Sequence, residues 1–166
     1  MVNKVHIALE QAPEHAAALG RLLGHWAVLE MLLTVLMQRL FQLGPQKADL
    51  IFKEIVSLKA KLKLLKRINH HFTIDGVLKE EIHDLLVSAE KLNEDRNKFI
   101  HSGWAGDSRD MVRIESSLPP SYKKLTKSHI KFTPQNIQNF VEKIAQLSGF
   151  LNDLLFRTRE VQLTQP

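Results

Sequence analysis

The chain of 166 residues contains no cysteine. This absence excludes disulfide bonds, a catalytic thiolate and cysteine-ligated zinc together, and it agrees with a cytoplasmic location. The amino-terminal residues lack the apolar segment of a secretory signal peptide. The most apolar run, residues 26–37, is interrupted by Glu30 and Thr34 and is too short to span a bilayer. We therefore predict no membrane association and interpret this run as part of a buried helix.

Signatures of the common enzyme classes are also missing. The chain has no glycine-rich phosphate loop, no Gly-x-Ser-x-Gly elbow and no zincin motif. The adjacent pair His70 and His71 would diverge by about 100° on a helix. No carboxylate or third histidine is spaced to complete a metal shell around them. The sequence thus predicts no metal site and no cofactor.

Composition and length predict one globular domain. Hydrophobic residues make up 44% of the chain and charged residues 25%, which is typical of a folded domain rather than a disordered chain. We expect a single domain over residues 1–166, with a short extension at residues 1–12 and a frayed tail at residues 159–166. The net charge of +5 makes the surface mildly attractive to polyanions, but such a balance is no nucleic-acid signature by itself.

Apolar residues that recur at steps of three and four predict four helices. The first extends from Pro13 to residue 43, and the second from Pro45 to about residue 72. The third begins after a cap at Thr73 or Asp75, and the fourth begins at Pro134 after a cap at Thr133. The sequence therefore predicts an all-α fold built on four helices.

Two segments between the third and fourth helices alternate apolar and polar residues. They are residues 111–115 and 129–132, and they predict two short strands that form a small β-hairpin with a long loop. Residues 102–107, which follow the third helix, are typical of a turn-rich exit.

The most informative segment is RNKFIH, residues 96–101, near the end of the third helix. Arginine offers a permanent charge with a planar fork of donors, and histidine exchanges protons near neutral pH. Arg96 falls on the inward stripe of the helix, where a charge needs a carboxylate, a phosphate or a cavity. Asn97 and His101 are four residues apart, so the amide can orient the imidazole. Arg96 and His101 diverge by about 140°, so one helix does not close a site.

This motif, on an all-helical domain of this size, resembles that of the HEPN superfamily (higher eukaryotes and prokaryotes nucleotide-binding). The resemblance implies a four-helix bundle that forms a homodimer and brings two copies of the motif together. Many members are metal-independent endoribonucleases of toxin–antitoxin, defence or RNA-processing systems, so RNA and an antitoxin or another protein are the implied partners. Arg96, Asn97 and His101 are the implied catalytic residues. A non-catalytic, dimeric interaction or nucleotide-binding module is the alternative.

Each implied catalytic residue has a role in RNA cleavage and a simpler alternative. In the nuclease, His101 transfers protons, Arg96 stabilises the charge on the phosphorane, and Asn97 orients the imidazole or binds phosphate. In the alternative, Arg96 pairs with an acidic residue of a neighbouring helix, and His101 interacts with free carbonyls of the last helical turn.

Two further sets of charged residues are candidates for supporting roles. Glu30 stands among apolar residues of the first helix, where it either pairs with Arg96 or His101 or reaches water through a groove. A group of cations lies opposite the apolar stripe of the second helix and is interpreted either as a solvated face or as an RNA-backbone contact. These cations are Lys59, Lys63, Lys66 and Arg67.

Overall fold

The computed structural model describes residues 9, 12–72, 75–100, 103–105, 112–114, 130–131 and 133–158. This part of the chain is mostly helical. Its helices are α1 (Pro13–Leu40), α2 (Pro45–Glu54), α3 (Leu58–Phe72), α4 (Gly76–Ile100) and α5 (Pro134–Arg157). Its strands are β1 (Gly103–Ala105), β2 (Val112–Ile114) and β3 (Ile130–Lys131). His101 and the predicted tail at residues 159–166 lie outside the described residues, as does most of the predicted extension at residues 1–12.

The chain divides into two compact units. The first comprises Met1–Gly24 and Asp95–Glu142, and the second comprises His25–Glu94 and Lys143–Pro166. Buried apolar residues of the first unit are Ala12, Ala18, Leu19, Leu22, Phe99, Ile137, Phe140 and Val141. Fully buried residues of the second unit come from α1, α3, α4 and α5, and they include Leu29, Leu33, Leu36, Leu62, Leu65, Ile82, Leu86, Ile144 and Leu151. Each unit therefore contains buried apolar residues.

The prediction of one helix over residues 45–72 is wrong, because α2 and α3 are separate. Ile55 leaves the helical region with φ −86° and ψ 99°. The interruption falls on Ile55, Val56 and Ser57, whose side chains disfavour a helix interior. Val56 is 95% exposed, so no packing against the core offsets this preference. The described part of the chain has five helices where the apolar repeats predict four.

The end of α1 also differs from the prediction, since the helix stops at Leu40 rather than at residue 43. Gln42 adopts a left-handed conformation with φ 53°. The amide of Leu43 donates to the carbonyl of Gln38 at 3.0 Å, and that of Gln42 donates to Arg39 at 3.2 Å. This pair of bonds is the Schellman arrangement, which satisfies the last carbonyls and reverses the chain before Gly44.

Two helix starts agree with the predicted caps. The Oδ1 atom of Asp75 accepts hydrogen bonds from the amides of Val77 at 2.9 Å and Leu78 at 3.1 Å. At the start of α5, the amide of Asn136 donates to Thr133 Oγ1 at 3.2 Å, while the amide of Thr133 donates to Asn136 Oδ1 at 2.9 Å. Both caps satisfy amides that lack partners in the first helical turn.

The strands form an antiparallel sheet of order β1-β2-β3. Trp104 is opposite Arg113, and Arg113 is opposite Ile130 on its other side. The strands β2 and β3 overlap the two segments that alternate in sequence. The strand β1 lies in the segment for which the sequence predicts a turn-rich exit. It is a strand nonetheless, because pairing with β2 outweighs the weak local preference of so short a segment. The loop predicted between the two segments lies outside the described residues.

The helix α1 is long and apolar enough to cross a membrane by length and composition alone. Its 28 residues extend for about 42 Å at 1.5 Å per residue. Core helices of soluble proteins meet the same criterion. Leu29, Leu33 and Leu36 are fully buried within the second unit, whereas Leu23, Val28 and Met31 on the same helix are exposed.

Candidate functional site

Arg96 lies one turn before the end of α4 and is half-buried. Its Nη1 atom donates a hydrogen bond to Oδ1 of Asn97 at 3.2 Å. Adjacent residues on a helix point about 100° apart, so the long guanidinium side chain turns along the helix surface to reach the amide. Arg96 makes further interactions besides this bond. The Nε atom of the guanidinium is buried, whereas the residue as a whole is half-buried at the margin of the inward stripe.

The hydrogen bond from Arg96 limits which atoms of the Asn97 side chain can bind a ligand. An asparagine side chain has one acceptor oxygen and one donor nitrogen. Because the oxygen accepts from Arg96, the NH2 group is the part of Asn97 best suited to a ligand. It can donate to a phosphate oxygen or to the lone-pair nitrogen of a neutral imidazole. The predicted role of orienting His101 stays a prediction, since His101 lies outside the described residues.

The residues around the motif anchor the last turn of α4. Phe99 is 6% exposed, and its ring centroid lies 5.1 Å from that of Phe140 on α5. Lys98 donates from Nζ to Asp95 Oδ1 at 2.5 Å on the exposed side. The exposed ion pair contributes little to stability, whereas removal of a buried phenylalanine ring typically costs several kcal/mol of unfolding free energy. Phe99 thus anchors the last turn of α4, next to Arg96 and Asn97.

Glu30 is half-buried on α1, as expected for a carboxylate beside an apolar stripe. Its backbone carbonyl accepts a hydrogen bond from Thr34 Oγ1 at 3.0 Å. Glu30 belongs to the second unit and Arg96 to the first. The predicted pairing of Glu30 with the motif therefore stays a prediction.

The helix α3 carries five cations and no acidic residue. Two of these cations have partners within the second unit. Lys66 donates from Nζ to Glu90 Oε2 on α4 at 2.6 Å, and the Nζ of Lys61 lies 4.3 Å from the ring centroid of Phe52 on α2. The other three are exposed, and they are Lys59, Lys63 and Arg67. Lys66 thus differs from the three other cations that the sequence groups with it.

Polar contacts also connect the facing ends of α3 and α4. Asn69 is buried and donates from Nδ2 to the backbone carbonyl of Lys79 at 2.8 Å. Lys79 in turn donates from Nζ to the carbonyl of His70 at 2.6 Å. Together with the bond between Lys66 and Glu90, these contacts hold α3 in a defined orientation on α4. These contacts between α3 and α4 therefore determine which way the exposed cations of α3 point.

The Lys66–Glu90 pair leads to a pH-dependent prediction. The hydrogen bond from Lys66 lowers the pKa of the Glu90 carboxyl below its ordinary value of 4.5, and the charges of Lys66 and Lys59 add to this effect. A lowered pKa in the folded state stabilises the protein above pH 4.5, and the contribution disappears as the pH falls through the folded-state pKa. We expect Glu90→Gln to reduce the unfolding free energy by about 0.5 kcal/mol near neutral pH.

Urea denaturation of the wild type and Glu90→Gln, at neutral pH and well below pH 4.5, measures this effect. The difference should vanish in acid, because the wild-type carboxyl is then protonated. Glu94→Gln is the matched control, since Glu94 is an exposed carboxylate one turn further along α4. An equal difference at both pH values would show that the ion pair is not its source.

The described part of the chain brings together Arg96 with Asn97 and, separately, Lys66 with Glu90. The sequence did not indicate a role for Glu90, because no local spacing relates two residues that are 24 positions apart. Among the described residues, no group of three or more histidines and carboxylates is placed to hold a metal ion. Comparison of the chain with protein-family models, with curated proteins and with solved structures found no match.

Proposed function

We propose that this chain is a metal-independent endoribonuclease of the HEPN type that acts as a homodimer, with Arg96, Asn97 and His101 as its catalytic residues. The observation that carries the proposal is the state of Arg96. The residue is half-buried near the end of α4, its Nε atom is buried, and its Nη1 atom donates a hydrogen bond to Asn97 Oδ1 at 3.2 Å. A cation restrained in this way, five residues before a histidine, suits a site that stabilises charge on a phosphate.

The proposed reaction is transesterification within the RNA strand. The ribose 2′-oxygen attacks the adjacent phosphorus, and the bond from phosphorus to the 5′-oxygen of the next nucleotide breaks. The products are a 2′,3′-cyclic phosphate and a 5′-hydroxyl group. His101 removes the proton of the 2′-hydroxyl or protonates the leaving 5′-oxygen. Arg96 stabilises the negative charge of the phosphorane, and the NH2 group of Asn97 binds a phosphate oxygen.

The proposed dimer follows from the spacing within the motif. Arg96 and His101 are five residues apart, which corresponds to about 140° around a helix. A two-fold pairing of α4 with its copy places two motifs together, so that residues of both chains act on one phosphate. The proposed setting is the cytoplasm, in a toxin or defence system with an antitoxin or another protein as partner.

Cleavage of single-stranded RNA in the presence of a metal chelator tests the proposal. We expect the purified chain to cut RNA and to leave DNA of the same sequence intact, because DNA lacks the 2′-hydroxyl nucleophile. Mass spectrometry of the fragments should detect 2′,3′-cyclic phosphate ends. Fragments that end in a 5′-phosphate, or cleavage of DNA at a similar rate, would contradict the proposed chemistry.

A non-catalytic, dimeric interaction or nucleotide-binding module is the second candidate. The hydrogen bond between Arg96 and Asn97 favours this candidate, because two side chains that bind each other can have a structural role at an interface without binding a substrate. An intact dimer that leaves RNA uncut under all conditions would support this candidate.

A further inference from the structure

Three cations form a row on the exposed side of α3. Lys59, Lys63 and Arg67 follow one another at steps of four residues, and all three are exposed. Each step advances by about 6 Å along the helix axis and turns by about 40°, so the row covers about 12 Å on one side of the helix. None of the three forms an ion pair with another residue in the part of the chain that the structure describes. We refer to these residues as the cation row.

Glu90 faces the edge of this row. It accepts the hydrogen bond of Lys66, the next cation on the same side of α3, and the charge of Lys59 also lowers the pKa of its carboxyl. Lys66 is thereby paired with a carboxylate, although it lies beside the row on the same side of α3. Glu90 therefore limits the positive charge that α3 presents to a partner.

The surroundings of the row favour a polyanion in water over a membrane. On α3, Leu58, Leu62, Leu65 and Ile68 are buried and Leu64 is half-buried, so the described side chains of this helix form no exposed apolar face. Val56, just before the helix, is exposed, but one side chain is not a face. A helix that lies on a membrane needs an exposed apolar face beside its cations. A nucleic-acid strand carries a charge at every nucleotide, so several cations in a row can contact it at the same time and release its counterions. An acidic protein would need carboxylates at matching steps.

We infer that the cation row binds the phosphate backbone of a nucleic-acid strand, and that Glu90 weakens this binding by pairing with Lys66. The inference rests on the proposed function for RNA as the natural strand. Contact with phosphates alone does not distinguish RNA from DNA, so the row itself holds either strand.

Fluorescence anisotropy with two labelled probes tests the row. Wild-type protein is titrated with oligothymidine, which cannot undergo the proposed cleavage, and the His101→Ala variant is titrated with oligouridine. Replacing all three cations of the row with glutamine should lower the affinity about 50-fold at about 0.15 M salt and reduce the slope of log affinity against log salt by about 2. Circular dichroism checks that the triple variant is folded.

The control for the triple variant removes the same charge elsewhere. Lys47, Lys53 and Lys143 are exposed lysines on α2 and α5, and their replacement with glutamine changes the net charge equally. This control should retain most of the affinity. Equal losses in both triple variants would overturn the inference, since binding would then depend on net charge and not on the row. Tighter binding of polyglutamate than of either oligonucleotide would overturn it in favour of an acidic protein partner.

The Glu90→Gln variant provides a second test, in which the affinity for nucleic acid should rise rather than fall. Loss of its carboxylate leaves Lys66 without its partner and should raise the affinity for oligothymidine about fourfold at about 0.15 M salt. Glu94→Gln makes the same charge change and should have a smaller effect. No gain from Glu90→Gln would overturn the role of Glu90. Binding of oligothymidine that depends on the row, without any cleavage of RNA, would uphold the row and reject the proposed nuclease.

Discussion

Replacing His101 with alanine should lower the rate of RNA cleavage by about a hundredfold or more, because a positioned general acid or base typically contributes that much. The rate is measured as cleavage of labelled single-stranded RNA in the presence of a chelator, with wild type and variant purified in parallel. The thermal unfolding transition should stay close to that of the wild type. Arg96→Ala should also abolish cleavage, but it can disturb the proposed dimer, so His101→Ala is the cleaner variant.

His83→Ala is the matched control for this experiment. His83 is an exposed histidine on α4, outside the motif, so its removal should leave the cleavage rate unchanged. The comparison also identifies a contaminating ribonuclease. If wild type, His83→Ala and His101→Ala all leave the same residual cleavage, the activity belongs to a contaminant and the interaction module replaces the nuclease as the proposed function.

Replacing Phe99 with alanine should reduce the unfolding free energy by about 3 to 5 kcal/mol. The side chain is 6% exposed and packs against Phe140, so the substitution removes buried surface and leaves a cavity in the first unit. Urea denaturation measures the loss. Because Phe99 anchors the turn that holds Arg96 and Asn97, any cleavage activity should also fall in this variant.

Phe150→Ala makes the same chemical change at a position that is 70% exposed on α5. We expect it to change the unfolding free energy by no more than about 0.5 kcal/mol, as is usual for surface positions. Comparison of the two variants separates the effect of burial on the unfolding free energy from the effect of the residue type. Equal losses at both positions would mean that Phe99 does not anchor the end of α4.

Helix starts were predictable because their signals are local. A proline stands at the first position of α1, α2 and α5, and Asp75 accepts hydrogen bonds from amides of the first turn of α4. The interruption at Ile55 was not predicted, although Ile55, Val56 and Ser57 are poor helix formers. Each of these residues disfavours a helix only weakly, and in many helices the burial of such residues outweighs this preference. Here Val56 projects into solvent, so burial does not compensate and the helix breaks.

The predominance of helix, the apolar stripes and the placement of Arg96 and Asn97 near the end of α4 follow from the sequence alone, because these features depend on residues within a few turns of one another. The pairing of Lys66 with Glu90, in contrast, depends on how the helices pack, while Lys59, Lys63 and Arg67 remain exposed. In a helical projection the four cations span about 100° on one side of α3, and Lys66 lies nearest the buried stripe. The packing of α4 against α3 brings the carboxylate of Glu90 within 2.6 Å of Lys66. Contacts between distant segments form only when the helices pack, so no local pattern encodes them.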